Sequence, residues 1–210
     1  MIRPRFQATR GDGSDATAEL LSFAEIIGLE SAISGRYSSL LLLGLFGAAK
    51  SGMQNPEKIV SQIRVLEGLE ENRGLKVATQ FKHPPLKGLS HQHYLEDGMS
   101  SFALNVQSGL RKFGLPWIKQ KIDEATASGE EHYFKVEDVT HIAHDAVASN
   151  WTRLANNNLL TGEWLIFAKH DGKNYYLSLG RHNSGDDLLR TQIEAICLPE
   201  FPFLENIFKV

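Results

Sequence analysis

Eight histidines punctuate the chain, and six of them form three pairs: His91/His93, His141/His144 and His170/His182. Imidazole exchanges protons near neutral pH and binds metal when neutral, so paired histidines could carry acid–base or metal chemistry. In His91-Gln-His93 the two rings point the same way only if the backbone is extended, and Lys87 lies just upstream. Arg181-His182-Asn183-Ser184-Gly185 reads as a strand-to-helix connection, where backbone N–H groups and a helix start can hold an anion. The carboxylates of Asp186 and Asp187 compete for that position. Metal-independent cleavage of RNA needs a base for the 2′-OH proton, an acid for the leaving oxygen and a cation for the charge developing on phosphorus. His91 or His93 with His182 supplies the proton transfers, and Lys87 and Arg181 the charge. The expectation is one basic cleft holding all five.

The other pairs point elsewhere. Glu137, His141 and His144 share one side of a helix, opposite the stripe of Val139, Ile142, Ala143, Ala146 and Val147. They read as a solvated face, and a metal would need a fourth ligand from another element. His170 and His182 frame opposite ends of a hairpin. No phosphate-binding glycine loop, dinucleotide fingerprint or Ser-His-Asp order is present, so no cofactor is expected. Cys197 is the one cysteine; it excludes an intramolecular disulfide and reads as a buried thiol in a reducing compartment.

Charge is uneven although the total is only −3. Residues 73–121 hold eight Lys/Arg against two acids, and residues 122–145 hold seven acids against one Lys. Either the two blocks neutralise each other across a helix pair, or the first forms a basic surface for phosphate or carboxylate.

The elements that position these residues follow from their spacing. Residues 1–15 read as a flexible tail without the apolar core of a signal peptide. Residues 16–210 read as a single α+β domain, helical over about 16–73 and sheet-containing over about 74–210. Helices are expected over 17–29 and over 55–73, where Asn55 caps, Pro56 opens and Gly74 stops the turn. LKVATQFK (75–82) alternates as a strand, and the stretch 86–98 reads as irregular. Helices follow near 100–113, from Pro116 to about Ser128, from about Val136 to Asn150, and from Ser184 to Ile196. WLIFAKH and NYYLSLG flank Asp171-Gly172, the signature of a tight antiparallel hairpin. Its register sets Trp164 against Leu179, Ile166 against Leu177 and Ala168 against Tyr175. The run LLLLGLFGAA (40–49) spans roughly 15 Å as a helix, about half a bilayer core, so it reads as a buried helix with a possible oligomer contact at Gly44 and Gly47.

A helical front followed by an antiparallel sheet, with these residue types over 161–210 and 75–93, resembles the barnase-like and RelE-like bacterial ribonuclease toxins. That resemblance is architectural and matches no motif; it implies RNA or another phosphate-bearing ligand as partner. The alternative is a non-enzymatic protein-interaction module, docking or self-associating through the 40–49 helix or a half-apolar hairpin face. A histidine-liganded metal protein comes third. A cytoplasmic location and no membrane partner are expected.

Overall fold

A computed structural model describes residues 6–52, 54–96, 98–131, 133–181 and 185–209. In chain order the helices and strands are α1 (Thr17–Ile26), α2 (Leu29–Ile33), α3 (Ser39–Ser51), α4 (Pro56–Leu66), β1 (Thr79–Gln80), β2 (Ser90–Tyr94), α5 (Met99–Phe113), α6 (Pro116–Ser128) and α7 (Val136–His144). A π-helical turn, Asp145–Ser149, joins α7 to α8 (Asn150–Asn156). Then come β3 (Glu163–His170), β4 (Lys173–Gly180), α9 (Asp186–Gln192), a second π-helical turn at Ile193–Cys197, α10 (Leu198–Glu200) and α11 (Leu204–Phe208). The class is α+β, as expected. No helix is long and apolar enough to cross a membrane among the described residues. Where the sequence reads one domain over 16–210, contacts divide the chain into two compact units. The first comprises Met1–Asn72, Val77–Glu96 and Gly162–Val210, and the second Arg73–Lys76 and Asp97–Thr161.

The first unit is built on the β3–β4 hairpin. Asp171 (φ 48°) and Gly172 (φ 73°) both adopt the left-handed conformation that a tight two-residue turn requires. The four strands form one antiparallel sheet in the order β1-β2-β3-β4. Ala168 pairs with Tyr175 as expected, but beyond a bulge at Leu177 the partners shift, with Ile166 opposite Ser178 and Trp164 opposite Gly180. The bulge sends Leu179 to the face of Leu165 and sets Gly180 beside Trp164. A Cβ on Gly180 would lie 3.1 Å from both Ile166 and Leu189 side chains, so a glycine here lets the sheet corner close.

Both faces of the hairpin are covered. Leu165, Phe167 and Tyr176 pack with Tyr94 against α1–α4, through Leu20, Leu41, Leu45 and Ile63. Ile166, Ala168 and Leu177 pack on the other side against Leu189, Ile193, Cys197 and Leu204. Ser38 starts α3 by accepting the Leu41 N–H (3.0 Å), and Gly52 ends it at φ 65°. The 40–49 helix is buried as expected, with Leu41, Leu42 and Leu45 committed to this core. Gly44 lies against Leu179 of β4. Residues 9–15, expected as tail, close through a Thr9–Asp15 bridge, and Phe6 and Ala8 pack on the same core. The 75–82 strand shortens to β1. SHQHY, expected to be irregular, is the strand β2.

The second unit is helical, with Leu75 bridged to Leu160 beside it. Gly109 sits where a Cβ would approach Asn150 Cβ to 2.9 Å, which lets α5 lie close on α8. Polar groups do much of the joining. Asn105 Nδ2 donates to the Ser101 and Thr161 carbonyls (2.9 and 2.7 Å) and its Oδ1 accepts the Thr161 N–H (2.9 Å).

Gly162, which opens β3, packs against β2 with no room for a side chain. A Cβ would stand 1.9 Å from the Tyr94 carbonyl oxygen, and that neighbour is backbone. Gly162→Ala is expected to destabilise the protein by about 3 kcal/mol, seen as a lower midpoint in chemical denaturation. An unchanged midpoint would mean that the β2–β3 approach is looser than described.

Candidate functional site

Of the five expected site residues four are described, and those four do not converge. Lys87 is exposed in the loop between β1 and β2, at the end of the sheet that carries the Asp171-Gly172 turn. His91 and His93 project from β2 on the side of Trp164 and Phe81. The His91 ring lies 4.5 Å from Phe81, 5.4 Å from Trp164 and 5.3 Å from His93. His93 is 7% exposed and its Nδ1 lies 2.7 Å from the Gly162 carbonyl oxygen, so it fastens the start of β3. Arg181 lies on the opposite side of the sheet, where it lines a cavity of about 410 Å³ with Gly44, Ala48, Gln54 and Tyr94. Its guanidinium pairs with Glu96 at 3.3 Å, while burial pushes the Glu96 carboxyl above its ordinary value despite that cation. His182 falls outside the described residues. His170 stacks flat on Phe203 at 4.1 Å. The pairing that should have made one cleft fails because adjacent residues on a strand point to opposite faces, and the bulge at Leu177 turns Gly180 inward and Arg181 toward α3.

The basic block is also divided. Lys82 and Lys87 belong to the first unit, while Arg73, Lys76, Arg111, Lys112, Lys119 and Lys121 belong to the second. Among the described residues no three His, Cys, Asp or Glu side chains are placed to hold a metal ion. His141 stacks on Trp117 (5.4 Å, 14°), and His144 Nδ1 lies 3.2 Å from the Ser149 hydroxyl. Cys197 is fully buried, and burial pushes its thiol up to about 12, so it is inert at neutral pH.

A different site stands in the second unit. Trp117, Ile118, Ile122, Phe134 and Ile142 floor a groove of about 520 Å³, with Glu130, Glu131 and Asp138 on its rim. α6 has no buried residue along its whole length. Ile122 is 59% and Phe134 69% exposed, which is unusual for side chains of that size converging on one hollow. Lys121 reaches over the Trp117 ring (5.9 Å) and pairs with Glu124 (2.7 Å). The sequence carried a signal for this site: Trp117, Ile118, Ile122 and Ala125 mark one helical side, and Tyr133-Phe134 follows in a polar loop. Seeing that nothing covers them required coordinates.

Asp145 anchors the start of α6, the helix that lines the groove. Its carboxylate accepts the Trp117 backbone N–H (2.9 Å) at the start of α6 and the Arg153 guanidinium (2.7 Å) from α8. Arg153 also donates to Asn150 Oδ1 (2.7 Å), and Asn150 Nδ2 donates to the Gly114 carbonyl (3.0 Å). One buried carboxylate thus fixes α6 against the α7–α8 rod. Lys135 N–H donates to the Asp138 carboxylate (2.9 Å), closing the start of α7.

Burial alone would raise the Asp145 carboxyl, but the Trp117 N–H and the Arg153 guanidinium outweigh it and hold the group below its ordinary 3.8. The unfolded carboxyl therefore takes up its proton first as pH falls. Its stabilisation is complete above the unfolded value and is lost as pH drops through the lower folded one. Asp145→Asn is expected to cost about 2 kcal/mol at pH 7, with the gap to the unsubstituted protein closing as the pH falls below 3.8. Denaturation midpoints across that range are the measurement, and a gap independent of pH would contradict the assignment.

Comparison with protein families, with characterised proteins and with solved structures finds no match for this chain.

Proposed function

We propose that the chain is a protein-interaction module whose helical unit receives an amphipathic helix of a partner in the groove beside α6. One observation supports this reading above the others. Among the described residues the second unit buries three large apolar side chains, Leu75, Leu154 and Leu160, yet it carries ten of the fifteen large apolar side chains that are exposed. Leaving such side chains in water forgoes about 25 cal/mol for each Å² that a partner would cover. Two of the ten, Ile122 and Phe134, line the groove together with Trp117, Ile118 and Ile142, and apolar side chains gathered in one exposed hollow are a mark of interaction sites. The thirteen residues of α6 span roughly 20 Å, the length over which a docked helix offers apolar anchors at i, i+3 or i+4, and i+7.

An RNA-cleaving reading asks more of the same chain. It needs His91 or His93 to meet Arg181, and both histidines project from the face of the sheet opposite Arg181. It also needs a solvated imidazole, whereas His93 is buried against Gly162. The interaction reading requires no rearrangement of described residues.

The test is direct binding of fluorescently labelled helical peptides of about four turns, with apolar faces in common and flanks that are basic, neutral or acidic. Ile122→Asp and Phe134→Asp remove the floor at exposed positions, so the melting temperature should barely move. Binding of at least one peptide, weakened at least about tenfold by either substitution, is the expected result. If no peptide binds the proposal fails. If RNA is cleaved and His91→Ala abolishes cleavage, the function passes to the histidines.

A further inference from the structure

Resting on the groove reading, we infer that the occupant is a basic amphipathic helix, with its Lys and Arg residues clustered at the end that lies against residues 129–131. The groove is electrically lopsided. At the α6 N-terminal end it is lined by Trp117, on which His141 stacks, and by Lys121, which is already satisfied by Glu124 at 2.7 Å. At the other end α6 terminates at Ser128 with Gly129 in the left-handed conformation, and Glu130 and Glu131 follow directly. The carbonyls of a helix C-terminus carry a partial negative charge, so two carboxylates stand where the local field is already negative.

Glu130 and Glu131 are exposed, and among the described residues neither makes an ion pair. The opposing wall adds to the imbalance. The α7 N-terminus would attract anions, but Glu137 and Asp138 occupy its first turn and the Asp138 carboxylate is bonded to the Lys135 N–H. Among the described residues no salt bridge neutralises Glu130 or Glu131. Residues 122–145 as a whole hold seven acids against one Lys.

This polarity excludes ligand classes as well as favouring one. Nucleic acid and anionic lipid would both bring phosphate to the acidic end and be repelled. A helix with a neutral or acidic flank would fill the apolar floor but leave the carboxylates without partners. A helix with Lys or Arg at one end satisfies both, and like-charge repulsion rejects the alternatives.

The full chain is titrated with three labelled peptides that share an apolar face and differ only in carrying Lys/Arg, Gln or Glu at one end. The basic peptide is expected to bind at least about tenfold more tightly than the acidic one, and to lose most of that advantage when salt is raised to about 1 M, where the Debye length falls to about 3 Å. The double variant Glu130→Lys, Glu131→Lys, at two exposed positions, should invert the preference while the melting temperature holds. Equal binding of all three peptides, or a preference that survives the double variant, would overturn the basic-helix inference and leave the groove reading intact. No binding by any peptide would overturn both. Concentration-dependent self-association that is abolished by Ile122→Asp would replace the foreign helix with a second copy of this chain, whose α5 ends in Arg111-Lys112.

Discussion

The middle of β3 has no side turned to water. Leu165, Ile166, Phe167 and Ala168 are each 0% exposed, so four consecutive residues bury both faces of one strand. At about 2 kcal/mol for each large side chain, this is the densest apolar contribution in the first unit. It also dictates the surroundings. A strand without solvent contact must find every backbone partner within the sheet, so it needs a ladder on each edge. β4 supplies one through the tight turn, and β2 supplies the other. Each face then requires its own helical cover, α1–α4 on one side and α9–α11 on the other. The histidines of β2 are caught in this arrangement. They neighbour β3 in the sheet, so they become packing elements beside Phe81 and Trp164.

The second unit solves the same problem with less apolar material. Its few buried side chains are supplemented by a polar hub in which Asp145, Arg153 and Asn150 join the starts of α6 and α8 to the loop at Gly114. A buried carboxylate is costly unless its hydrogen bonds are complete, and here the Trp117 N–H and Arg153 complete them. Hydrogen bonds are directional, which suits a framework whose purpose is to keep a groove in shape. Such a hub leaves apolar side chains free for contact outside the unit.

What could be read from the sequence was what local chemistry decides. Asp171-Gly172 and the alternation around it fixed the hairpin, and Asn55-Pro56 fixed the start of α4, because those signals act within a few residues. The strand at 90–94 escaped, since Ser-His-Gln-His-Tyr is polar and becomes a strand only by pairing with β1 and β3, which are distant in sequence or too short to announce themselves. The bulge at Leu177 escaped for a related reason. It exists to place Gly180 in a corner formed by Ile166, Trp164 and Leu189, and that corner belongs to tertiary packing. The site reading failed on orientation. Residue types suitable for acid–base chemistry were present, but one residue of register decided that His93 and Arg181 look away from each other. The acidic block at 122–145 was visible, and its partner in the groove was not, because exposure is a property of the fold.

The groove and its hub also bear on how occupancy and stability are coupled. A ligand that binds only the folded state stabilises it in proportion to the logarithm of its concentration over the dissociation constant. The hub determines how much of that free energy is used to order the site. α6 is tied to α7–α8 through Asp145, so for the proposed partner the ordering cost would fall mainly on the incoming helix. Two parts of the site then act differently. For the proposed helix, the apolar floor would exclude water once it is seated and govern how slowly it leaves, whereas the carboxylates at 130 and 131 would act through solvent at longer range and govern how often a correctly oriented helix arrives. On the proposed reading, such a module would discriminate by charge on approach and hold by burial afterwards. That division explains why the rim can be strongly acidic without the groove itself containing an unpaired buried charge.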